Sequence, residues 1–134
     1  MDDAAIERRL RDFFQTGAPD VVAAYLFGSV ARGTSRATSD VDVGILLARP
    51  PAPRFADLPL DLEADLERLI GVPTQVVVLN RAPADLVHRV LRDGTLLVDR
   101  DRSARIAFEV RARNEFFDLK PVLDQYRRAR AAGR

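Results

Sequence analysis

Three short apolar runs, each the length of a β-strand, lie between segments of helical periodicity and limit the folds open to this chain. Two of the runs are Val21–Phe27 and Val41–Leu47, and the third covers residues 74–79. Their β-branched and aromatic residues are typical of buried strands. Residues 95–98 predict a fourth strand, at an edge of the sheet. We therefore expect an α/β (α+β) fold, with a small mixed β-sheet and helices packed on it.

Apolar residues repeated at intervals of three and four predict the helices around these strands. The predicted helices cover residues 3–15, 59–70, 83–92 and 102–118. Asp57 is a candidate N-cap of the second helix, and Gly71 is a stop signal at its end. Pro121 should interrupt the last helix, because the residue before a proline is pushed out of the α region. A separate helical tail then follows over about residues 120–134.

Composition is that of a globular protein and excludes several other classes. A length of 134 residues suits one domain, which we expect to span residues 1–134. The sequence has no cysteine, which excludes a disulfide framework and thiolate metal sites and favours a reducing compartment. No apolar stretch reaches the roughly 18 residues that span a bilayer, and the acidic start does not resemble a signal peptide. We expect a cytoplasmic protein with no membrane partner.

Positive charge is concentrated at the end of the chain. Residues 120–134 hold five cations and one acid, a local balance of +4 against a formal net charge of +1 for the whole sequence. Such a tail can bind nucleic acid or an acidic partner, but runs of this kind are more often a solvated helix face. Neither aromatic interleaving nor an RNA-binding signature accompanies it, so we do not expect direct nucleic-acid binding.

Two carboxylates stand two residues apart where the second strand begins. Side chains alternate between the faces of a strand, so Asp40 and Asp42 should point the same way, opposite the apolar set that begins with Val41. Like charges this close repel unless a cation lies between them. Mg²⁺ takes one or two protein carboxylates together with substrate phosphates. Alternatively, the pair simply ends a polar loop in solvent, and on the pair alone this second interpretation is favoured.

A Gly-Ser pair ends the first strand, ten residues before the carboxylates. Gly28 lets the backbone approach a ligand closely, and the N–H groups of a following helical turn favour anions. An ordinary strand-to-helix turn uses Gly28 and Ser29 for the same geometric reasons. Combined with the carboxylates on the neighbouring strand, the pair predicts a site for a nucleoside triphosphate and its metal.

The two pairs and their spacing resemble a known signature. Gly28-Ser29, ten residues and then Asp40-Val41-Asp42 are similar to the G-S-x10-D-x-D signature of the polymerase-β-like nucleotidyltransferase superfamily. The residues around both pairs resemble the minimal nucleotidyltransferases, small prokaryotic proteins commonly encoded beside HEPN-type ribonuclease toxins. The resemblance covers nearly the whole chain, since it extends to residues 76–83, 91–97 and 117–119.

The resemblance implies transfer of a nucleoside monophosphate from a triphosphate to a hydroxyl, with pyrophosphate leaving. In the family's antitoxins the donor is ATP and the acceptor is a tyrosine of the HEPN-type toxin, with which we expect this chain to form a hetero-oligomer. By the same resemblance, Gly28 and Ser29 would hold the β,γ-phosphates. Asp40 and Asp42 would be the catalytic carboxylates and the ligands of Mg²⁺.

The third strand departs from the family pattern at Gln75. The family has a carboxylate here, whereas the chain reads Thr74-Gln75-Val76-Val77. Glutamine offers one neutral carbonyl acceptor and cannot serve as a base, so activation of the attacking hydroxyl should suffer more than nucleotide binding. The alternative function is therefore a catalytically weakened, nucleotide-binding antitoxin that neutralises the toxin by direct complex formation. The nearest acids, Asp57 and Asp85, lack strand phasing toward Asp42.

Three further features have structural explanations. His88, the single histidine, should be packed or on the surface rather than catalytic. Phe116-Phe117 should form a helix packing face, and Tyr126 should face the core rather than a partner.

Overall fold

The computed structural model describes residues 2–28, 30–31, 33, 40–49 and 58–132. Helices and strands follow one another in the predicted order. The helices are α1 Asp3–Thr16, α2 Leu58–Ile70, α3 Ala84–Asp93 and α4 Arg102–Ala132, with a short 3₁₀ helix at Leu79–Arg81. The strands are β1 Val21–Phe27, β2 Val41–Leu47, β3 Thr74–Val78 and β4 Thr95–Asp99. The candidate N-cap Asp57 lies outside the described residues.

The strands of the described chain form one mixed sheet in the order β3-β2-β1-β4. Strand β1 runs antiparallel to both β2 and β4, while β2 and β3 are parallel. Helix α2 lies between β2 and β3 in the sequence, because two parallel neighbours need a crossover connection. The predicted mixed sheet is confirmed, as is the edge position of the fourth strand.

Helices cover both faces of the sheet. One face packs on α1 and α2, in a cluster that includes Leu10 and Val43. The other face packs on α3 and α4, in a second cluster that includes Tyr25 and Phe108. Because side chains alternate along a strand, neighbouring residues of β1 and β2 enter different clusters, except Val22 and Ala23 at a register shift of β1. Burial on both faces explains why these two runs are continuously apolar rather than alternating with polar residues.

Helix α4 is a single helix of 31 residues with Pro121 inside it, so the predicted interruption at this proline is wrong. Proline removes one backbone donor and crowds the carbonyl four residues earlier, but its fixed φ is compatible with a helix. Pro121 is exposed, and water can satisfy the carbonyl that loses its partner. Neither α4 nor any other helix in the described part of the chain is long and apolar enough to cross a membrane.

The first half of α4 is fixed to the sheet by polar contacts as well as by packing. Tyr25 Oη donates to Glu109 Oε1 at 2.8 Å, and Arg105 Nη1 donates to the same oxygen at 3.0 Å. Arg105 Nε also donates to Asp99 Oδ2 of β4 at 2.8 Å. Burial, followed by the bond to Glu109, raises the pKa of Tyr25, so the phenol remains a donor. These bonds set the inner half of α4 against β1 and β4.

Candidate functional site

Asp40 and Asp42 lie at the start of β2, where the strand has the predicted phasing. Asp40 immediately precedes β2 and is exposed, and Asp42 is its second residue and half-buried. Val41 and Val43, on either side of Asp42, are buried in the cluster beneath α1 and α2. The side chain of Asp42 therefore lies on the other face of the sheet, which α3 and α4 cover further along the strands.

The strand register places Gln75 directly beside Asp42. Asp42 is paired with Gln75 of β3 in the parallel ladder and with Phe27 of β1 in the antiparallel ladder. Paired residues of neighbouring strands lie about 5 Å apart and point to the same face. The position where the family resemblance implies a third carboxylate is thus next to Asp42, and it carries an exposed amide.

Gly28 follows β1 and lies against the carboxylate of Asp42. Its φ is +78°, in the left-handed region that residues with a Cβ rarely adopt. A Cβ at this position would come within 2.5 Å of Asp42 Oδ2. The backbone conformation therefore favours glycine, and a Cβ here would make the Asp42 carboxylate shift. Ser29, which the sequence analysis pairs with Gly28 in phosphate binding, lies outside the described residues.

Repulsion between charges characterises the carboxylate pair. Burial of the Asp42 carboxylate raises its pKa, and the neighbouring charge of Asp40 raises it further. Both effects disfavour the ionised form of Asp42. A divalent cation bound by the two carboxylates would act in the opposite direction, because an adjacent positive charge favours the ionised form.

The donor set fits one divalent cation that is held jointly with a substrate. Asp40 and Asp42 supply hard carboxylate oxygens, the ligands that Mg²⁺ takes together with substrate phosphates. Gln75 lies beside this pair but has a neutral amide oxygen where a third carboxylate would be anionic, so it is not counted among the metal ligands. Within the described residues, no group of three or more His, Cys, Asp or Glu side chains could hold a metal ion. Completion of this site therefore depends on oxygens from a bound substrate.

Phe27 is the neighbour of Asp42 that the sequence analysis did not single out. The antiparallel register pairs the two residues, and Phe27 packs against the second hydrophobic cluster. The aromatic side chain of Phe27 predicted that β1 is a strand, but it did not predict which residue of β2 lies beside Phe27. That pairing depends on register, which a single strand pattern leaves open when both faces of the strand are apolar.

The remaining side chains considered in the sequence lie on α3 and α4. The ring of His88 is stacked on Phe116, with 3.7 Å between ring centroids, which confirms a packed histidine and the packing role of Phe116. Phe117 and Tyr126 are 60% and 61% exposed, so the predictions that Phe117 packs and that Tyr126 faces the core are wrong. Both residues lie beyond Ala112, the last buried residue of α4.

Residues 8–103 match a family model described as polymerase beta, nucleotidyltransferase. The chain belongs to this nucleotidyltransferase family. The matched range includes the four strands and every residue of the candidate site, whereas α4 lies almost entirely outside it. A comparison with curated proteins gives no significant match.

Solved structures confirm the polymerase-β-like fold. A toxin–antitoxin structure with AMP-PNP contains a chain similar over 90% of this chain and 97% of its own, with a TM-score of 0.70 and 21% identity. A complex of the tri-AMPylated Shewanella oneidensis HEPN toxin with MNT antitoxin matches over 92% of this chain and 98% of its own, with a TM-score of 0.66 and 18% identity. A minimal nucleotidyltransferase is 31% identical over 71% of this chain and 95% of its own, with a TM-score of 0.52.

Proposed function

We propose that this chain is an antitoxin-type nucleotidyltransferase that transfers AMP from Mg-ATP to a tyrosine hydroxyl of a partner HEPN-type toxin. One observation carries the proposal: Gly28 lies against the carboxylate of Asp42 in a chain of the nucleotidyltransferase family. Chains of similar fold occur with AMP-PNP in one toxin–antitoxin structure and with a tri-AMPylated HEPN toxin in another. These relatives support ATP as the donor and the toxin as the acceptor.

The residues at the start of β2 would hold the donor nucleotide. Asp40 and Asp42 would bind Mg²⁺ together with the nucleotide phosphates. The metal, when bound, neutralises phosphate charge and stabilises the attacking and leaving oxygens. Gly28 has no side chain to obstruct the phosphates beside Asp42, and the Ser29 hydroxyl would donate to a phosphate oxygen. The task of these residues is to bind and orient the triphosphate.

The transfer step exchanges one phosphorus–oxygen bond for another. The hydroxyl oxygen of the toxin forms a bond to the α-phosphorus as the bond to the bridging oxygen of the pyrophosphate breaks. Pyrophosphate leaves with that electron pair, and the hydroxyl proton passes to water. Gln75 can accept a hydrogen bond from the hydroxyl but cannot take its proton, because an amide is not a base. With no base at this position, the rate enhancement would come mainly from positioning of the reactants.

A second function, from a different class, is favoured by Gln75 itself. Its amide lies beside Asp42, at the position where the resemblance places a carboxylate that binds metal and activates the acceptor. A chain that keeps Asp40 and Asp42 but lacks this group can bind a nucleotide without efficient turnover. Such an antitoxin would neutralise the toxin by forming a complex with it.

Intact-mass spectrometry of the toxin distinguishes the two functions. The toxin is incubated with Mg-ATP and with the wild-type chain, Asp42→Asn or Asp12→Asn. Asp12 is an exposed residue of α1, on the other side of the sheet from the site, so its variant is the matched control. We expect added AMP with the wild type and the control, and none with Asp42→Asn. A tight complex with an unmodified toxin would support the binding function, and the absence of both results would refute both functions.

A further inference from the structure

The outer half of α4 presents an apolar stripe on its surface. Leu119, Val122 and Tyr126, called here the distal stripe, are 37%, 59% and 61% exposed. Their spacing of i, i+3 and i+7 places them on one face of the helix. Helices that insert one face into a groove of a partner protein carry anchors at this spacing.

The distal stripe continues a seam that is buried in the inner half of α4. Phe108 and Ala112 occupy earlier positions of the same repeat of four and three residues, with Glu115 at the position before Leu119. Phe108 and Ala112 are 9% and 6% exposed, in the cluster that also includes residues of α3 and β1. A sustained repeat of this kind is the pattern by which a helix face packs along a partner. The same helix face thus continues beyond the α3 and β1 residues that bury Phe108 and Ala112.

Coverage by the solved relatives differs in the region of α4. The family model ends at residue 103, so it covers only the first two residues of α4. The minimal nucleotidyltransferase matches 71% of this chain. The two toxin–antitoxin structures match 90% and 92%, which must include most of α4 because this helix holds 31 of the 134 residues. Chain beyond the family model, including part of α4, is therefore shared with chains that are found in toxin–antitoxin structures.

We propose that the distal stripe is the surface by which this chain docks onto its HEPN-type toxin, an inference that rests on the proposed function. The toxin would offer an apolar groove with carboxylates at its rim. This charge follows from residues 120–132 of α4, which hold the cations Lys120, Arg127, Arg128 and Arg130 against the single acid Asp124.

Arg130 and Tyr126 form one recognition element at the end of the stripe. The guanidinium carbon of Arg130 lies 5.8 Å from the centroid of the Tyr126 ring, within the range of a cation–π contact. Tyrosine and arginine are enriched among the residues that contribute most to protein–protein affinity. The pair can fill an apolar pocket with the ring and meet a carboxylate at its rim with the guanidinium.

Calorimetric titration of the toxin tests the docking surface. The double substitution Val122→Ser/Tyr126→Ser should weaken toxin binding by at least about 30-fold, as expected for loss of an interface anchor. Its Tm should equal that of the wild type, because both side chains are exposed. Phe117→Ser is the matched control, since Phe117 is 60% exposed and lies nine residues before Tyr126, about half a turn away around the helix. Its toxin affinity should remain that of the wild type.

Parallel measurements separate the docking surface from the proposed function. Mg-ATP binding by the isolated chain tests the nucleotide site and should not change in the double variant. Wild-type affinity of the double variant for the toxin would overturn the docking surface and leave the proposed function intact. Sedimentation of the chain alone provides another test: a dimer that the double substitution converts to a monomer, with unchanged toxin affinity, would assign the stripe to a second copy. No toxin binding by the wild type would overturn both proposals.

Discussion

Asp42 and Gln75, the second residues of β2 and β3, lie side by side in the sheet but differ in chemistry. Asp42 of β2 is a half-buried carboxylate, packed against Gly28 and subject to the charge of Asp40. Its partner in the register, Gln75 of β3, is an exposed amide. On the proposed function, strand β2 would bind the metal and the nucleotide, whereas the amide of Gln75 on β3 cannot take a proton from an acceptor. The proposal therefore assigns nucleotide binding and turnover to different strands.

The largest effect should come from giving β3 the carboxylate that it lacks. Gln75→Asp places a base and a metal ligand beside Asp42, so we expect the rate of AMP transfer to rise about 100-fold, a usual contribution of general-base catalysis. Gln75→Asn is the matched control and should leave the rate unchanged, because it shortens the side chain without adding charge. Single-turnover mass spectrometry of the toxin measures all three rates. Equal rates for Gln75→Asp and the wild type would show that β3 takes no part in turnover.

A methyl group at Gly28 should disturb the part of the site formed by β2, the carboxylate of Asp42, and leave Gln75 of β3 in place. Gly28→Ala strains a residue with a φ of +78° and displaces the carboxylate of Asp42. We expect a loss of about 1–2 kcal/mol in the free energy of unfolding, from the left-handed backbone. Displacement of a metal ligand should also weaken Mg-ATP binding about 10-fold.

Gly71→Ala is the control for this strain. Gly71 has a φ of +74°, and a Cβ there would meet no atom within 4 Å. Denaturant titration should show a similar loss of stability for both variants, and calorimetry should show a loss of nucleotide affinity for Gly28→Ala only. Equal affinities would mean that the contact between Gly28 and Asp42 does not position the carboxylate.

The smallest effect is a pH dependence of stability in the metal-free chain. The pKa of Asp42 is raised above 3.8 by burial and by Asp40, so the folded chain holds this proton more tightly than the unfolded chain does. The resulting stabilisation is present below pH 3.8 and is lost as the pH rises through the pKa of Asp42 in the folded state. Asp42→Asn removes the charge, so its Tm should exceed that of the wild type by a margin that grows with pH.

Thermal unfolding with and without Mg²⁺ measures this margin. Saturating Mg²⁺ should raise the Tm of the wild type and leave that of Asp42→Asn unchanged, because the metal binds the folded chain through the carboxylates. Asp12→Asn should follow the wild type under both conditions. A margin that does not change with pH would show that neither burial nor the charge of Asp40 raises the pKa of Asp42 in the folded chain.

The β2 side of the site could be predicted from the sequence because its signals are local. The bounds of β1 and β2 follow from two apolar runs, and the common direction of Asp40 and Asp42 follows from the alternation of side chains along a strand. The pairing of Asp42 with Phe27 and Gln75 is not local. It depends on the register between strands, which a single strand pattern leaves open when both faces are buried.

The outer half of α4 shows where local rules fail. Pro121 has a helix-breaking signature, with a cost of about 3 kcal/mol in a helix interior. Its surroundings are exposed, and α4 passes through it without a break. Tyr126 lies beyond the last buried residue of this continuous helix and is exposed, so it does not face the core as the sequence predicts. The sequence around Pro121 shows the cost of a proline in a helix, but it does not show whether the rest of a long helix offsets that cost.

Calorimetric titration of the isolated chain with ATP, with and without Mg²⁺, tests the central claim most directly. We predict that the wild type and Gln75→Ala bind ATP with equal affinity and only in the presence of Mg²⁺. Asp42→Asn should lose at least about 30-fold in affinity, since one of the two metal ligands loses its charge. Equal binding by Asp42→Asn and the wild type, or binding that does not depend on Mg²⁺, would contradict the assignment of metal and nucleotide to β2.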